Sequence, residues 1–169
     1  MAHLTALVLG GAACLHADLA RVGQVDVRVA VNDAGYTFAD LNAVATVHHE
    51  KVPGWRARRA AAGFPDTVWI SFDGMEHGIE LWRPADLDRW VWGSSGLYAV
   101  GVALHVFGAD LVILAGCPMD ATPNLYRDEV GWAQYQRFRI RWEKLAPYLR
   151  GRVYSMGGWT AELLNTGGT

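Results

Sequence analysis

The feature that most constrains this chain is a series of short, nearly continuous apolar runs, separated by segments of helical pattern. Leu4–Leu9 (Leu-Thr-Ala-Leu-Val-Leu) ends at Gly10-Gly11, and Asp26–Val31 ends at Asn32-Asp33. Ala43–His48, Thr67–Ser71, Leu111–Ala115 and Arg152–Ser155 repeat the theme. A strand solvated on one face alternates apolar with polar residues. A strand apolar throughout is buried on both faces, which calls for a parallel sheet covered by helices on each side. The intervening segments supply those helices. Cys14–Val22 carries Leu15, Leu19 and Val22 at i, i+4 and i+7, and Trp55–Ala62 is rich in Arg and Ala. Ser94 or Ser95 can cap a helix running to Phe107, with Gly108 as its stop. Glu129–Leu149 places Trp132, Tyr135, Phe138, Trp142 and Leu145 along one side, a stripe expected to be core, with Pro147 disturbing its last turn. Trp159–Leu164 closes the series. The expected fold is α/β: a Rossmann-like three-layer α/β/α sandwich with a mostly parallel sheet of about six strands. One domain is expected over residues 1–169, with 72–92 as an irregular insertion or flap.

Charge and cysteine content narrow the function classes. A formal net charge of -2 gives no electrostatic basis for general nucleic-acid binding or for an anionic membrane surface. Cys14 and Cys117 sit in no C-x-x-C or Cys/His array and read as two buried thiols. The first residues superficially resemble a lipoprotein signal. No Lys or Arg precedes Arg21, however, and Gly10-Gly11 interrupts the apolar run, as a buried first strand would require. No apolar run reaches the ~18 residues of a membrane span, so a cytoplasmic, soluble protein is expected.

In an open parallel sheet, ligands bind beyond the carboxyl ends of the strands. The loops there contain the candidate site. Gly10, Gly11 and Ala12 could bring backbone N–H groups to a phosphate, although a tight strand-to-helix turn needs the same glycines. They do not form G-x-G-x-x-G, and no acidic residue ends the second strand, so an ordinary NAD site is not expected. Asn32 offers a donor and an acceptor for a ribose, base edge or phosphate; Asn32-Asp33 would equally serve as a cap or Asx turn. His48 and His49 could supply acid–base chemistry, and with Glu50 they could in principle hold a metal. Neighbours on a strand face opposite ways, so the pair is not expected to share a metal, and no metal site is expected. Ser94, Ser95 and Gly96 at a helix N-terminus could cradle an anion or simply cap the helix, and His105, inside that helix, reads as packed core. Asp120, in Gly116-Cys117-Pro118-Met119-Asp120, could contact a ribose or an acceptor hydroxyl, or cap the turn toward Thr122-Pro123. Tyr126, Arg127 and Asp128 follow on the same rim.

Taken in order, Leu-Val-Leu-Gly-Gly-Ala-Ala-Cys-Leu, Val-Ala-Val-Asn-Asp-Ala and the run from Ser94-Ser95-Gly96 through Leu-Val-Ile-Leu-Ala-Gly116 resemble a known superfamily. It is the Rossmann-like group containing bacterial lipooligosaccharide sialyltransferases, motility-accessory-factor glycosyltransferases and hydroxymethylpterin pyrophosphokinase-like proteins. The resemblance implies that Gly10, Gly11, Asn32, Ser94, Ser95 and Gly96 contact a nucleotide, such as CMP linked to a sugar. It sets His49 near the sialyltransferases' Asn after the third strand. The family's Gly-x-Asp is replaced by Gly116-Cys117-Pro118, with the acid at Asp120, and no His follows His105.

Three readings follow. The first is a nucleotide-sugar-dependent transferase, with His48 or His49 as base and Asp120 as the alternative. The second is a non-catalytic nucleotide-binding module, favoured by the displaced acid and the missing His. The third is a Mg²⁺-dependent pyrophosphoryl transferase using Asp33, Asp73 and Asp120. In the first two, the partner is a small-molecule nucleotide or nucleotide sugar.

Overall fold

A computed structural model describes residues 3–127 and 131–166. Its strands are β1 (Thr5–Leu9), β2 (Val27–Val31), β3 (Ala43–Ala45), β4 (Val68–Ser71), β5 (Glu80–Leu81), β6 (Leu111–Ala115) and β7 (Val153–Ser155). They form one sheet in the order β5-β4-β3-β2-β1-β6-β7 with every adjacent pair parallel. Six of the seven lie in the apolar runs. The seventh, β5, pairs Glu80 and Leu81 with Ile70 and Ser71 from inside the stretch expected to be irregular. Two residues carry no readable periodicity. That stretch also contains α3 (Leu87–Val91).

Period-two alternation sorts the strand residues onto two faces. Ala6 and Val8 join Val27, Val29, Val112 and Leu114 beneath α4 (Ser95–His105), α5 (Tyr135–Leu149) and α6 (Gly158–Leu164). Leu7 and Leu9 join Ala30, Val44 and Ala115 on the other face, under α1 (Leu15–Leu19) and α2 (Val52–Ala61). Helix α4 is buried at every position from Ser95 to Leu104. A helix apolar all round belongs inside, and its glycine at 101 admits the Trp82 and Trp90 rings, which a Cβ there would meet at 2.4 and 2.8 Å. No helix among the described residues is long and apolar enough to cross a membrane.

Several sequence expectations are corrected. The Ala43–His48 run stops being a strand at Ala45, because the Thr46 hydroxyl accepts the His48 N–H (2.9 Å) and replaces a ladder partner. The Cys14–Val22 helix is confined to Leu15–Leu19. Helix α5 begins at Tyr135; Glu129 and Asp128 lie outside the described residues, and Trp132 precedes the helix. The end of α5 falls at Leu149 as expected, with Pro147 inside the last turn and Arg150 N–H donating to Ala146 O (2.9 Å). His105 is not core. It is exposed at the end of α4, stacked between Trp82 and Tyr148 (centroids at 6.0 and 6.3 Å), and desolvation by these rings lowers its pKa.

Two contacts pin the connections around the sheet. Gly10 N–H donates to Ala115 O (2.8 Å), and a Cβ at Gly10 would lie 2.1 Å from Gly116 O and 2.4 Å from Cys117 Sγ. The chains leaving β1 and β6 therefore touch backbone to backbone. On the other face, Arg59 of α2 is fully buried and donates to the carbonyls of Gly35, Phe38, Ala39 and Pro65 at 2.6–2.8 Å. Gly10→Ala is expected to destabilise the fold by about 3 kcal/mol, since rigid backbone must move. Arg59→Met, which takes the donor from four carbonyls, that of Gly35 buried and the others part-buried, is expected to cost about 3 kcal/mol, with Arg59→Lys recovering only part of the loss. Denaturant unfolding measures both.

Candidate functional site

The sheet order reverses at β1, which has β2 on one side and β6 on the other. Connections after β1 and β3 run over one face and those before and after β6 over the other, leaving a crevice between them. A cleft of about 490 Å³ opens there. Gly10, Gly11, Ala12, Asn32, Asp33, His48, Ser94, Ser95, Gly96 and Asp120 all line it. His49 does not. The chain turns after Thr46, and the His49 ring instead meets Phe72 edge-on (6.0 Å) and lies 4.0 Å from Asp73.

Backbone strain is concentrated in this cleft. Among the described residues, the non-glycine residues at positive φ are Asn32 (52°), Ser94 (93°) and Met119 (53°), and all three line it. Such conformations persist where surrounding contacts impose them. At Asn32 the anchor is Thr46, which is fully buried. Its hydroxyl donates to Asn32 Oδ1 (2.7 Å) and accepts the His48 N–H, so one side chain orients two cleft residues. At Ser94 the anchor is the cap of α4: Ser94 Oγ accepts from Leu97 N–H (3.4 Å), while Ser95 Oγ accepts from Val47 N–H (3.2 Å).

The two loops proposed to cradle phosphate differ in what they have left to give. In the β1 loop, Gly10, Ala12 and Ala13 N–H already donate to Ala115, Gly116 and Pro123 carbonyls (2.8, 3.1 and 2.8 Å). The glycine at 10 thus serves the contact with the β6 loop rather than the approach of an anion. At α4, the Leu97 and Tyr98 N–H groups are taken by Ser94, and those of Ser95 and Gly96 face the cleft from the first turn of an eleven-residue helix. A Cβ at Gly96 would make ordinary contacts, the nearest with Ser94 Oγ at 3.5 Å, so the first turn of α4 does not need glycine there.

Asp33 is committed to the protein. Its Oδ1 accepts from Trp55 Nε1 (3.0 Å) and Tyr36 OH (3.3 Å), and Arg127 lies 3.5 Å from Oδ2. Asp120 caps a turn through Oδ1, accepting Thr122 N–H and Oγ–H (2.9 and 2.5 Å). His48 has its pKa lowered, first by burial and then by the cations of Lys51 and Arg127. Burial pushes the Cys117 thiol up to about 12; Cys14, half-buried and near Asp18, is also pushed to about 12, so neither is a ready nucleophile.

Sequence reasoning missed part of the wall. Trp132 and Phe138, assigned to a core stripe, stack on each other (5.4 Å) and line the cleft, while Trp142 and Leu145 are the buried core part of that stripe. Lys51, Arg137, Asn124 and Gln134 also line it. The available signal was the density of polar and aromatic residues in 118–138, between strand and helix. A second recess of about 480 Å³ adjoins the cleft, sharing Asp33, Lys51, Tyr126 and Arg127 with it and adding Arg58 and Trp55.

The fold is that of α/β proteins with helices on both faces of a parallel sheet and a crevice where the strand order reverses. No family model matches the chain, and no curated protein matches it. Among solved structures it is similar to the sialyltransferase CstII from Campylobacter jejuni, solved in complex with a substrate analogue, cytidine-5'-monophosphate. The match has a TM-score of 0.60 and 11% identity, and covers 95% of this chain and 84% of that chain. At that identity the likeness is one of fold.

Thr46→Val keeps the shape and removes both hydrogen bonds of the Thr46 hydroxyl. Unfolding is expected to become easier by about 1–3 kcal/mol, with Thr46→Ser close to wild type. Chemical-shift changes in the Val variant should be centred on Asn32 and His48.

Proposed function

We propose that the cleft binds a nucleotide and that the protein is a glycosyltransferase-like enzyme using a nucleotide-sugar donor of the CMP type. The observation that carries this reading is the gathering of Asn32, Ser94 and Met119, all at positive φ, around the open N-terminus of α4. Its fold likeness to a protein crystallised with cytidine-5'-monophosphate supports the choice of ligand class.

In this reading the donor phosphate sits on the Ser95 and Gly96 N–H groups, where the helix dipole favours an anion, with Lys51 and Arg137 nearby on the wall. These donors are in place before the reaction and stabilise the charge that grows on the leaving phosphate. Asn32, its Oδ1 held by Thr46, presents its Nδ2 hydrogens to the ribose or base edge. The stacked Trp132 and Phe138 offer an aromatic wall for the base. His48, neutral near pH 7, takes the proton of an acceptor hydroxyl, worth about 10²–10⁴-fold. Asp120 remains the alternative base through Oδ2, and the adjoining recess gives room for a second substrate.

A non-catalytic nucleotide-binding module is the second reading. The turn-capping bonds of Asp120 favour it, because they explain that acid without chemistry. The Mg²⁺-dependent reading loses support, since Asp33 is tied to Trp55 and Tyr36, and Asp73 lies outside the cleft.

Thermal-shift titration with CMP, other nucleotides and nucleotide sugars tests binding. At ~100 times the dissociation constant a ligand adds about 2.7 kcal/mol, and a selective shift with CMP, unchanged by Mg²⁺, is expected. Absence of a shift with every nucleotide overturns both leading readings. Asn32→Ala is expected to weaken binding about tenfold. The transferase reading further expects slow release of CMP from a CMP-sugar without acceptor. His48→Gln should abolish transfer while retaining nucleotide binding; binding with no product from wild type selects the module. Because the pKa of His48 is lowered, the loss of activity on acidification should come at a lower pH than an ordinary histidine base, ~6.5, would give.

A further inference from the structure

On the side of β3 away from the cleft, one donor atom each from His49, Glu76 and His77 lies within 4.8 Å of the other two. We propose that these three residues bind a divalent transition-metal ion of the zinc type, which ties the turn between β4 and β5 to the turn that follows β3. The proposal departs from the expectation that the chain has no metal site. That expectation weighed only His48, His49 and Glu50; His48 lines the cleft and His49 does not. The second imidazole comes from a segment 28 residues further along, which only the fold brings to His49.

The donor set matches the ion. Two imidazoles and one carboxylate make a borderline N/O site that suits zinc and leaves a fourth position for water. The negative charges of Glu76 and the neighbouring Asp73 offset those of the cation. Asp73 Oδ1 is held by Gly74 N–H and Arg83 (2.9 and 3.1 Å), while Oδ2 lies 4.0 Å from His49 Nε2. A carboxylate beside a ligating histidine fixes the ring and raises its basicity.

Three further observations set this cluster apart from a chance grouping of surface side chains. First, His49 Nδ1 is buried with no hydrogen-bond partner, so nothing described in the chain satisfies that ring nitrogen. Second, the short turn Met75–His77 is bracketed by Gly74 and Gly78, both at positive φ (94° and 66°), and a Cβ at Gly74 would lie 2.8 Å from His49 Cβ. The turn is thus pressed directly against the histidine. Third, Arg56 of α2 donates to the carbonyls of His77 and Gly78, holding the turn in place. Its guanidinium also faces Asp66 at 3.5 Å, which offsets its own charge.

The test uses the full chain, free of any affinity tag and stripped with chelator, titrated with Zn²⁺ against a chromogenic competitor. One Zn²⁺ per chain is expected. Co²⁺ should give the intense visible bands of a four-coordinate ion. His49→Ala, His77→Ala and Glu76→Gln should each weaken binding at least about tenfold, while His105→Ala, an exposed histidine elsewhere, should leave it unchanged. Zn²⁺ in hundredfold excess over its dissociation constant should raise Tm by about 5–10 °C, and none of this gain should remain in His77→Ala. Should a histidine variant fail to fold, Glu76→Gln, at an exposed position, carries the test alone. Absence of stoichiometric binding overturns the proposal. So does binding that survives in Glu76→Gln and in the folded histidine variants, which would mark an adventitious surface ion.

Discussion

The backbone contact between the chains leaving β1 and β6 is the constraint on which the functional end of the molecule depends. Gly10 admits Gly116 O where a side chain would stand, and the Gly10 N–H closes onto Ala115 O. The connections that follow leave to opposite faces of the sheet, the one after β1 passing over one face through α1 and the one after β6 over the other through α5. The crevice between them is a consequence of that divergence. Its floor is the β1–β6 contact, and its walls are the loops after β2 and β3, the N-terminus of α4 and the segment after β6.

Stability and candidate function divide along this line. Below it, apolar strands between two helical layers bury nearly every side chain. At it, the polar groups are positioned by other polar groups: Thr46 aligns Asn32 and His48, Ser94 caps α4, and Trp55 and Tyr36 hold Asp33. Low-dielectric surroundings strengthen such bonds and make each unmet partner costly, so the arrangement is rigid. The positive-φ residues sit within this network, and their strain is offset by the bonds around them.

Much of the sheet was legible because burial on both faces leaves a continuous apolar signature, and a Gly, Asn or Ser at a strand or helix end has a local physical reason. Asn32 and Ser94 were readable on that basis, and both lie in the cleft. Strand β5 was not, since two residues have no period. Trp132 and Phe138 were assigned to the core because helical spacing says that residues share a side but not whether a neighbour covers it. His49 was grouped with His48 because adjacency in sequence is visible, whereas the turn carrying His77 is remote in the chain.

The sequence by itself determined the layered α/β architecture and placed polar residues at strand ends, because hydrophobic periodicity and turn chemistry are local properties. Only the tertiary structure decided which of those residues face one another. It turned His48 toward the cleft and His49 toward Glu76 and His77, and it left α4's first amides open while engaging those of Gly10, Ala12 and Ala13 in the β1 loop. The reason is that such choices rest on contacts between segments far apart in the chain, whose register is set by sheet order and by close backbone packing rather than by any local pattern.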